Sequence, residues 1–290
     1  MSESSITCVI PTHARDDLLA IALASVAVQT YPPDAVVVVD DVGSPDTDRL
    51  VRSYGERFSY LNASGGGNPG ASSSRNVGAS RAASTHLAFL DDDDRWEPAF
   101  LAECLAEMER SGTSLVAAWG SREVNGKVYP KSLSVEPGVT SNQALAHNPG
   151  VTGSNFLISR SVFDELGGFD TGLPVYNDLD FFVRFLQAGH TYGVVAKPLV
   201  IQTADGAGHL SSRGASRAAG IQKYIAKHRT EATRSQLRRL RRDFHLAQRY
   251  KGQQLARSGA HFVLMWANSS PRQLVRVIRE KSTRRAKIYA

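Results

Sequence analysis

Only two cysteines, Cys8 and Cys104, occur in this 290-residue chain, so neither a disulfide framework nor a multi-cysteine zinc site can be assembled, and a reducing compartment fits best. Long hydrophobic runs are also missing. The longest apolar-looking stretch, Leu18 to Val28, is too short to span a bilayer and follows Asp16 and Asp17, which predicts a core-facing helix capped by one of those aspartates. Met1-Ser2-Glu3-Ser4-Ser5 lacks a basic region followed by an apolar run, so no signal peptide is expected. The glycine-rich stretch Gly65 to Gly70 is compatible with a phosphate cradle but matches neither the P-loop nor the dinucleotide fingerprint. Internal repeats and low-complexity linkers are absent as well. With 42% hydrophobic and 21% charged residues, the chain has enough material for one full core plus an appended subdomain.

The net charge of +6 conceals a division. From Ser211 onward there are 20 Lys and Arg against 3 Asp and Glu, whereas the residues before it hold 14 against 25. An acidic body of residues 1–210 and a basic extension of residues 211–290 are therefore expected, and the extension should meet an anionic surface.

Ile6 to Ile10 and Ala35 to Val39 are short β-branched or apolar runs with helical spacing between them (Leu18, Leu19, Ala22, Leu23, Val26), which predicts a parallel strand–helix–strand unit. Ser44-Pro45 reads as a helix start, Phe58 to Leu61 as a strand, and the Ala/Ser-rich segment containing Arg75 and Asn76 as a helix. His86 to Leu90 is the next strand. Glu97-Pro98 should open a helix to about Arg110, Ser114 to Ala118 a strand, and Asn125-Gly126 a hairpin turn. Asn155 to Ile158 reads as a strand and Asp178 to Gln187 as a helix. Beyond residue 210 the pattern is helical with Arg/Lys-rich faces, and Pro271 marks the start of a last helix.

The chemistry concentrates where strands end. Asp40-Asp41 follows one strand, Asp91 to Asp94 another, and Asp178 opens a helix. In an open α/β sheet the carboxyl ends of parallel strands form the ligand edge, which brings the first two together. Four adjacent anions need compensation. A solvated acidic turn is the plain reading, while a carboxylate set without His or Cys support suits a hard cation, Mg²⁺ or Mn²⁺, shared with a phosphate-bearing substrate.

At this point the sequence resembles the family 2 glycosyltransferases of the GT-A fold over roughly Ile6 to Val195. The resemblance rests on Cys8-Val9-Ile10-Pro11-Thr12, Ser25 to Pro32, Val38-Val39-Asp40-Asp41, Ser74-Arg75-Asn76-Val77-Gly78, the Phe89 to Trp96 cluster with Pro98, and Gly167-Gly168-Phe169-Asp170 followed by Asn177-Asp178-Leu179-Asp180. It implies a GT-A-type α/β domain with a mixed, mainly parallel sheet flanked by helices and a helical extension after it.

It further implies a set of roles. Asp93 would be the direct metal ligand, and Asp91 or Asp92 would face the donor's ribose or a metal-bound water; Asp94 would be structural at the turn before Trp96. Pro11, Thr12 and Asp40 match positions that hold the donor's base and ribose, with His13 and Arg15 beside them in the donor set, and Arg75 matches a donor-pocket arginine. His209 falls near a loop position where some relatives complete the metal shell. Asp178 matches the general base, whose anionic form a helix N-terminus favours, although Asn177 or Asp178 could equally be an N-cap. Trp96 is a candidate acceptor-site aromatic or a core residue.

Three departures from the family pattern stand out: Asn177-Asp178 replaces the usual Glu-Asp, His13 replaces a common Tyr, and Val42 is inserted between Asp40-Asp41 and Gly43-Ser44. The Gln-x-x-Arg-Trp motif and the membrane spans of processive synthases are not present. The resemblance therefore implies single, metal-dependent, inverting transfer from a nucleoside-diphosphate sugar to a carbohydrate or lipid-linked acceptor, in polysaccharide, glycolipid or glycoconjugate synthesis.

The basic extension interleaves Arg238-Arg239-Leu240-Arg241-Arg242 with Leu237, Phe244 and Leu246, and carries Phe262, Leu264, Met265 and Trp266. No nucleic-acid module accompanies it, so an anionic membrane surface or a solvated helical cap is expected instead of nucleic acid. A cytoplasmic location is expected, with the inner face of the membrane as the surface in the first of these two readings. Two rivals remain: a sugar-phosphate nucleotidyltransferase, whose glycine-rich signature after the first strand is replaced here by Pro11-Thr12-His13-Ala14-Arg15, and a catalytically inactive nucleotide-sugar-binding module.

Overall fold

A computed structural model describes residues 4–65, 70–130, 134–203, 214–249 and 255–269. The chain divides into two compact units, Met1–Ala207 and Gly208–Ala290.

The first unit begins β1 (Ile6–Thr12), α1 (Asp16–Ala27), β2 (Ala35–Asp40), α2 (Pro45–Arg52), β3 (Phe58–Asn62), α3 (Ala71–Arg81) and β4 (His86–Phe89). These strands pair in parallel in the order β3-β2-β1-β4, with Thr12 beside Asp40 and Val9 beside Phe89. Every residue of β1 is buried, because a parallel strand with helices on both faces has no wet side. Cys8 and Ile10 join Leu19, Leu23 and Val26 of α1 in the main core, while α3 closes the opposite face over Val9 and Val39. Gly78 makes that approach possible: a Cβ there would stand 2.3 Å from Val9 Cγ1.

Beyond β4 come β5 (Asp94–Trp96), α4 (Phe100–Ser111), β6 (Leu115–Val124), β7 (Lys127–Pro130), α5 (Ser141–Ala144), β8 (Phe156–Ser159), α6 (Arg160–Glu165), α7 (Asn177–Gln187) and β9 (Tyr192–Thr203). Here the sheet becomes mixed. β8 runs antiparallel to both β4 and β6, β6 pairs in parallel with β9, and β5 lies antiparallel to β9. The Asn125-Gly126 hairpin forms between β6 and β7 with both central residues at positive φ (50° and 71°), the geometry that Asn-Gly favours.

Two expectations are corrected, and of the two readings of Trp96 the core one holds. α1 starts after Arg15 with no side-chain cap; Asp16 and Asp17 occupy its first turn, where Asp16 instead accepts a bond from Thr47 Oγ1 at 2.7 Å. α4 begins at Phe100, since the carbonyls of Glu97 and Pro98 are committed to Gln29 Nε2 and Thr30 N at 2.9 and 2.8 Å. Trp96 is a core residue: it stacks on Phe100 with ring centroids 4.4 Å apart and donates from Nε1 to the Ser154 carbonyl at 2.7 Å. Ser44 does cap α2, with Pro45 in the first helical position.

The second unit holds α8 (Ala215–Lys227), α9 (Arg234–Ala247) and α10 (Leu255–Ala267). Thr233 and Gln236 form a capping box on α9, Ala218, Ile221, Tyr224 and Leu240 are buried, and Arg234, Arg238 and Arg241 are exposed along α9. Phe262, Val263 and Leu264 of α10 are exposed. Among the described residues no helix is long and apolar enough to cross a membrane. His209 and Pro271 lie outside the described residues.

Replacing a helical glycine by alanine normally adds about 1 kcal/mol of stability, whereas overpacking a closed core costs about 1–3 kcal/mol. Gly78→Ala is therefore expected to lower the urea midpoint of unfolding, and a midpoint at or above wild type would show that α3 can move off β1.

Candidate functional site

Parallel pairing places the ends of β1, β2 and β4 at one sheet edge. At the end of β2, Asp40 is fully buried and accepts from Val42 N at 2.9 Å, Ser44 N at 2.7 Å and the Tyr60 hydroxyl at 2.9 Å. Its carboxylate thus ties the turn that contains the extra Val42. Gly43 completes this turn at φ +83°, where any Cβ would collide with the Asn62 side chain. The neighbouring Asp41 accepts from His13 Nδ1 at 2.5 Å, and His13 is 71% exposed at the rim.

After β1, Ala14 adopts φ +49° and redirects the chain so that Arg15 reaches back over the edge. Arg15 donates from Nε and Nη2 to the two oxygens of Asp92 and from Nη1 to Asp93 Oδ2 at 3.2 Å. Thr12 Oγ1 also donates to Asp92, at 2.7 Å. Burial pushes the Asp92 carboxyl up to about 6, against the pull of Arg15 and Thr12. Asp92 is therefore a buried anchor joining the β1 and β4 turns, turned away from its three neighbours.

Those neighbours converge. Asp91, Asp93 and Asp94 each place a carboxylate oxygen within 4.8 Å of the others. Asp94 is buried at the start of β5 and accepts from Gln202 Nε2 at 3.1 Å; burial first, then the charges of Asp91 and Asp93, raise its carboxyl to about 8. An all-oxygen set carrying this excess of negative charge fits a hard divalent cation, Mg²⁺ or Mn²⁺. Asp94 thus joins the group of carboxylates that could hold a cation, whereas the sequence suggested only a role at the turn.

Arg75 supplies positive charge on the other side. Its Nη2 donates to Asp91 Oδ1, its Cζ lies 5.2 Å from the Phe169 ring centroid, and Gly153 packs so closely that a Cβ would fall 2.4 Å from Nη2. Arg75 is only 3% exposed, yet among the described residues its Nε and Nη1 have no hydrogen-bond partner. Buried donors of this kind ordinarily find acceptors, so these two stand out among the described residues.

The segment leading to Asp178 is fastened to the same helix. Asn76 Nδ2 donates to the Phe169 carbonyl at 2.8 Å and its Oδ1 accepts from Phe169 N at 2.9 Å, while Arg184 donates to the Leu166 and Gly168 carbonyls, both at 2.7 Å, and to buried Asp180 at 2.8 Å. Tyr176, in the left-handed region at φ +63°, precedes α7, so neither Asn177 nor Asp178 is its N-cap. Asp178 lies in the first turn, partly exposed, with Oδ1 accepting from Leu179 N at 2.8 Å; it is not a member of the Asp91/Asp93/Asp94 cluster.

Asn155, Ser154 and Gln202 were not singled out as site residues by sequence. Asn155 Nδ2 bonds the Ala118 and Gly150 carbonyls at 2.8 and 2.9 Å, and Ser154 Oγ accepts from Asp91 N at 3.1 Å. Nothing local marks these roles, since each depends on a partner more than 35 residues away or on a loop that only the fold closes.

A family model described as "Glycosyl transferase family 2" matches residues 7–167. Among curated proteins, an "Uncharacterized glycosyltransferase" of Haemophilus influenzae is 26% identical over 191 residues, covering 63% of this chain and 62% of that protein. The "Putative colanic acid biosynthesis glycosyl transferase WcaA" of Escherichia coli K12 is 27% identical over 186 residues, covering 62% and 66%. The chain thus spans less than two thirds of the length of these relatives. Among solved structures, residues 1–349 of S. aureus TarS in complex with UDP-GlcNAc align with TM-score 0.60 at 18% identity, covering 84% of this chain and 81% of that one. Mannosyltransferase PcManGT from Pyrobaculum calidifontis, in complex with GDP-Man and Mn²⁺, aligns with TM-score 0.62 at 16% identity, covering 97% and 81%. At these identities the solved structures speak for the fold.

The acidic run splits into an anchor and a binding cluster, and the two should respond differently to neutralisation. Asp92→Asn places an amide N–H against Thr12 or Arg15 and is expected to cost about 1–3 kcal/mol of stability by urea unfolding. Asp93→Asn should cost clearly less, and equal losses would contradict the division.

Proposed function

The chain belongs to glycosyl transferase family 2 and has its GT-A fold, and on that premise we propose that it transfers a sugar, with inversion, from a nucleoside-diphosphate sugar to an acceptor hydroxyl. The observation that carries this reading is the juxtaposition of buried Arg75, with two unused donors, and the carboxylate cluster of Asp91, Asp93 and Asp94. Opposite charges side by side suit a metal-bound diphosphate, with the cation on the carboxylates and phosphate or base oxygens on the guanidinium.

Asp91, Asp93 and Asp94 would hold Mg²⁺ or Mn²⁺. When bound, the ion supplies positive charge that lowers the cost of the negative charge growing on the departing diphosphate. His13 presents its ring at the rim beside Pro11, held by Asp41, where a nucleotide base can stack. Thr12, Arg15 and Asp40 act through others: the first two hold Asp92, and Asp40 holds the turn that carries Asp41.

On the acceptor side, Asp178 takes the proton of the attacking hydroxyl. The hydroxyl oxygen forms its bond to the anomeric carbon as the bond from that carbon to the diphosphate oxygen breaks on the opposite face, and the electron pair leaves with the nucleoside diphosphate. The first turn of α7 favours the carboxylate form of such a base.

The acceptor class that suits the second unit is carbohydrate on a lipid carrier. The exposed Arg234, Arg238 and Arg241 of α9 and the exposed Phe262, Val263 and Leu264 of α10 combine charge and apolar surface in the manner of a segment that rests on an anionic bilayer.

Two measurements test these readings. Incubation with a panel of nucleotide sugars and Mn²⁺ should release nucleoside diphosphate in wild type and not in Asp93→Ala, while Asp178→Asn should keep donor affinity and lose about 10²-fold or more in transfer. Near-normal transfer by Asp178→Asn would remove it as the base, and release of pyrophosphate from a nucleoside triphosphate and a sugar phosphate would identify a nucleotidyltransferase instead. In flotation assays the protein should rise with anionic liposomes at low salt and be released by high salt; failure to float at low salt would eliminate the membrane role.

A further inference from the structure

Helix α1 is apolar on two sides. Leu19, Ala22, Leu23 and Val26 are buried against the core, yet no charged residue occurs between Asp17 and Asp34, so the outward face carries none either. That face exposes Ile21 (51%), Ala24, Ala27 and Val28 (60%). By contrast α4, a helix of the same length, leaves Glu103, Glu107, Glu109 and Arg110 at least partly exposed. A helix with one wet side ordinarily carries its charge there, because branched apolar side chains left in water gain nothing on folding.

The exposed residues also share a spacing. Asp17, Ile21, Ala24 and Val28 follow one another at intervals of four, three and four, the repeat of a narrow seam by which one helix packs on another. The seam is about 17 Å long at 1.5 Å per residue. Beside its Val28 end lies a groove lined by Ala27, Pro33, Tyr54, Glu56, Arg57 and Phe58, with Arg57 exposed. Asp17, at the other end, is exposed as well, and neither charge has an ion-pair partner among the described residues.

We propose that this face of α1 joins two copies of the chain, packed antiparallel about a two-fold axis. Turned end for end on its own copy, the seam sets the branched Ile21 against the small Ala24, which lets the side chains interdigitate. Each Asp17 then meets the partner's Val28, at the end of the helix where the partner's Arg57 stands. A parallel arrangement would instead set Asp17 against the partner's Asp17, two like charges. An anionic bilayer is a poor occupant of the same face, since the one charge on the seam is a carboxylate. The contact uses none of the residues placed in the candidate site and does not rest on the transferase reading.

Sedimentation velocity of the full chain, in a concentration series reaching on the order of 100 μM, tests the contact. Wild type is expected to sediment as a dimer. Ile21→Glu and, independently, Val28→Glu place a carboxylate in the seam and should raise the dissociation constant about 10²-fold, while thermal unfolding of dilute protein stays close to wild type because both positions are exposed. Asp17→Arg and Arg57→Asp should each weaken the dimer about fivefold, and the two together should restore it, since the same charges meet with signs exchanged. A wild type that is monomeric throughout the series overturns the proposal. So does a dimer that survives both glutamate variants, which places the contact on another surface such as the basic extension. Loss of the dimer in Ile21→Glu without recovery in the charge exchange overturns the antiparallel pairing.

Discussion

The molecule's first unit is organised around an excess of negative charge gathered at one edge of a sheet. Asp40, Asp41 and Asp91 to Asp94 follow two strands, each adjacent to β1, and packing both strands on it brings six carboxyl groups to one rim. Such a rim would repel itself apart without compensation. Three kinds are present: backbone amides and Tyr60 for Asp40, guanidinium groups for Asp91, Asp92 and Asp93, and a carboxyl pushed up to about 8 by burial for Asp94. The two arginines differ in kind. Arg15 is half-buried and bonds through Nε, Nη1 and Nη2 to Asp92 and Asp93, whereas Arg75 is buried and, among the described residues, leaves Nε and Nη1 without a partner.

Holding Arg75 in place requires space to be removed around it. Gly153 lets the chain lie against its guanidinium, and Phe169 covers another side. Gly168 stands at φ +70° with Asn76 Oδ1 so near that a Cβ would come within 2.6 Å, which lets Asn76 grip the Phe169 backbone on both its N–H and carbonyl. Arg75 and Asn76, adjacent on α3, thereby link the carboxylate cluster to the segment before α7. Arg184 and Asp180 fix the far side of that segment. The candidate donor side and the candidate base are thus parts of one hydrogen-bonded framework.

The second unit follows another logic. Its helices bury few large side chains, notably Ile221, Tyr224 and Leu240, and carry their charge outward. Arg249 lies over the Phe262 ring at 4.6 Å, and His245 and His261 face each other through Nδ1 atoms at 3.0 Å, which requires at least one of the two to carry a proton there. Burial, and then the charge of His261, holds the His245 imidazole below its ordinary value.

The alternation of β-branched runs and helical spacing in residues 6–90 was enough to read the parallel half of the sheet, because burial on both faces leaves a continuous apolar strand that no other element resembles. The same holds for Asn125-Gly126, whose backbone preference is local, and for the Ser44-Pro45 helix start. The position of Asp91 to Asp94 after a strand, with the family resemblance, pointed to the carboxylate cluster that the fold assembles. What the linear order could not decide is which way each member of that run faces. Asp92 turns to Thr12 and Arg15 because β1 lies beside β4, and Asp94 joins Asp91 and Asp93 because β5 pairs with β9 and places Gln202 next to it. Trp96 became core, and Ser154, Asn155 and Phe169 entered the site, through contacts between segments distant in sequence. The sequence by itself determined the elements and the edge where charge collects, since those depend on neighbours along the chain; the tertiary structure alone decided the partner of each carboxylate, since that depends on neighbours across the sheet.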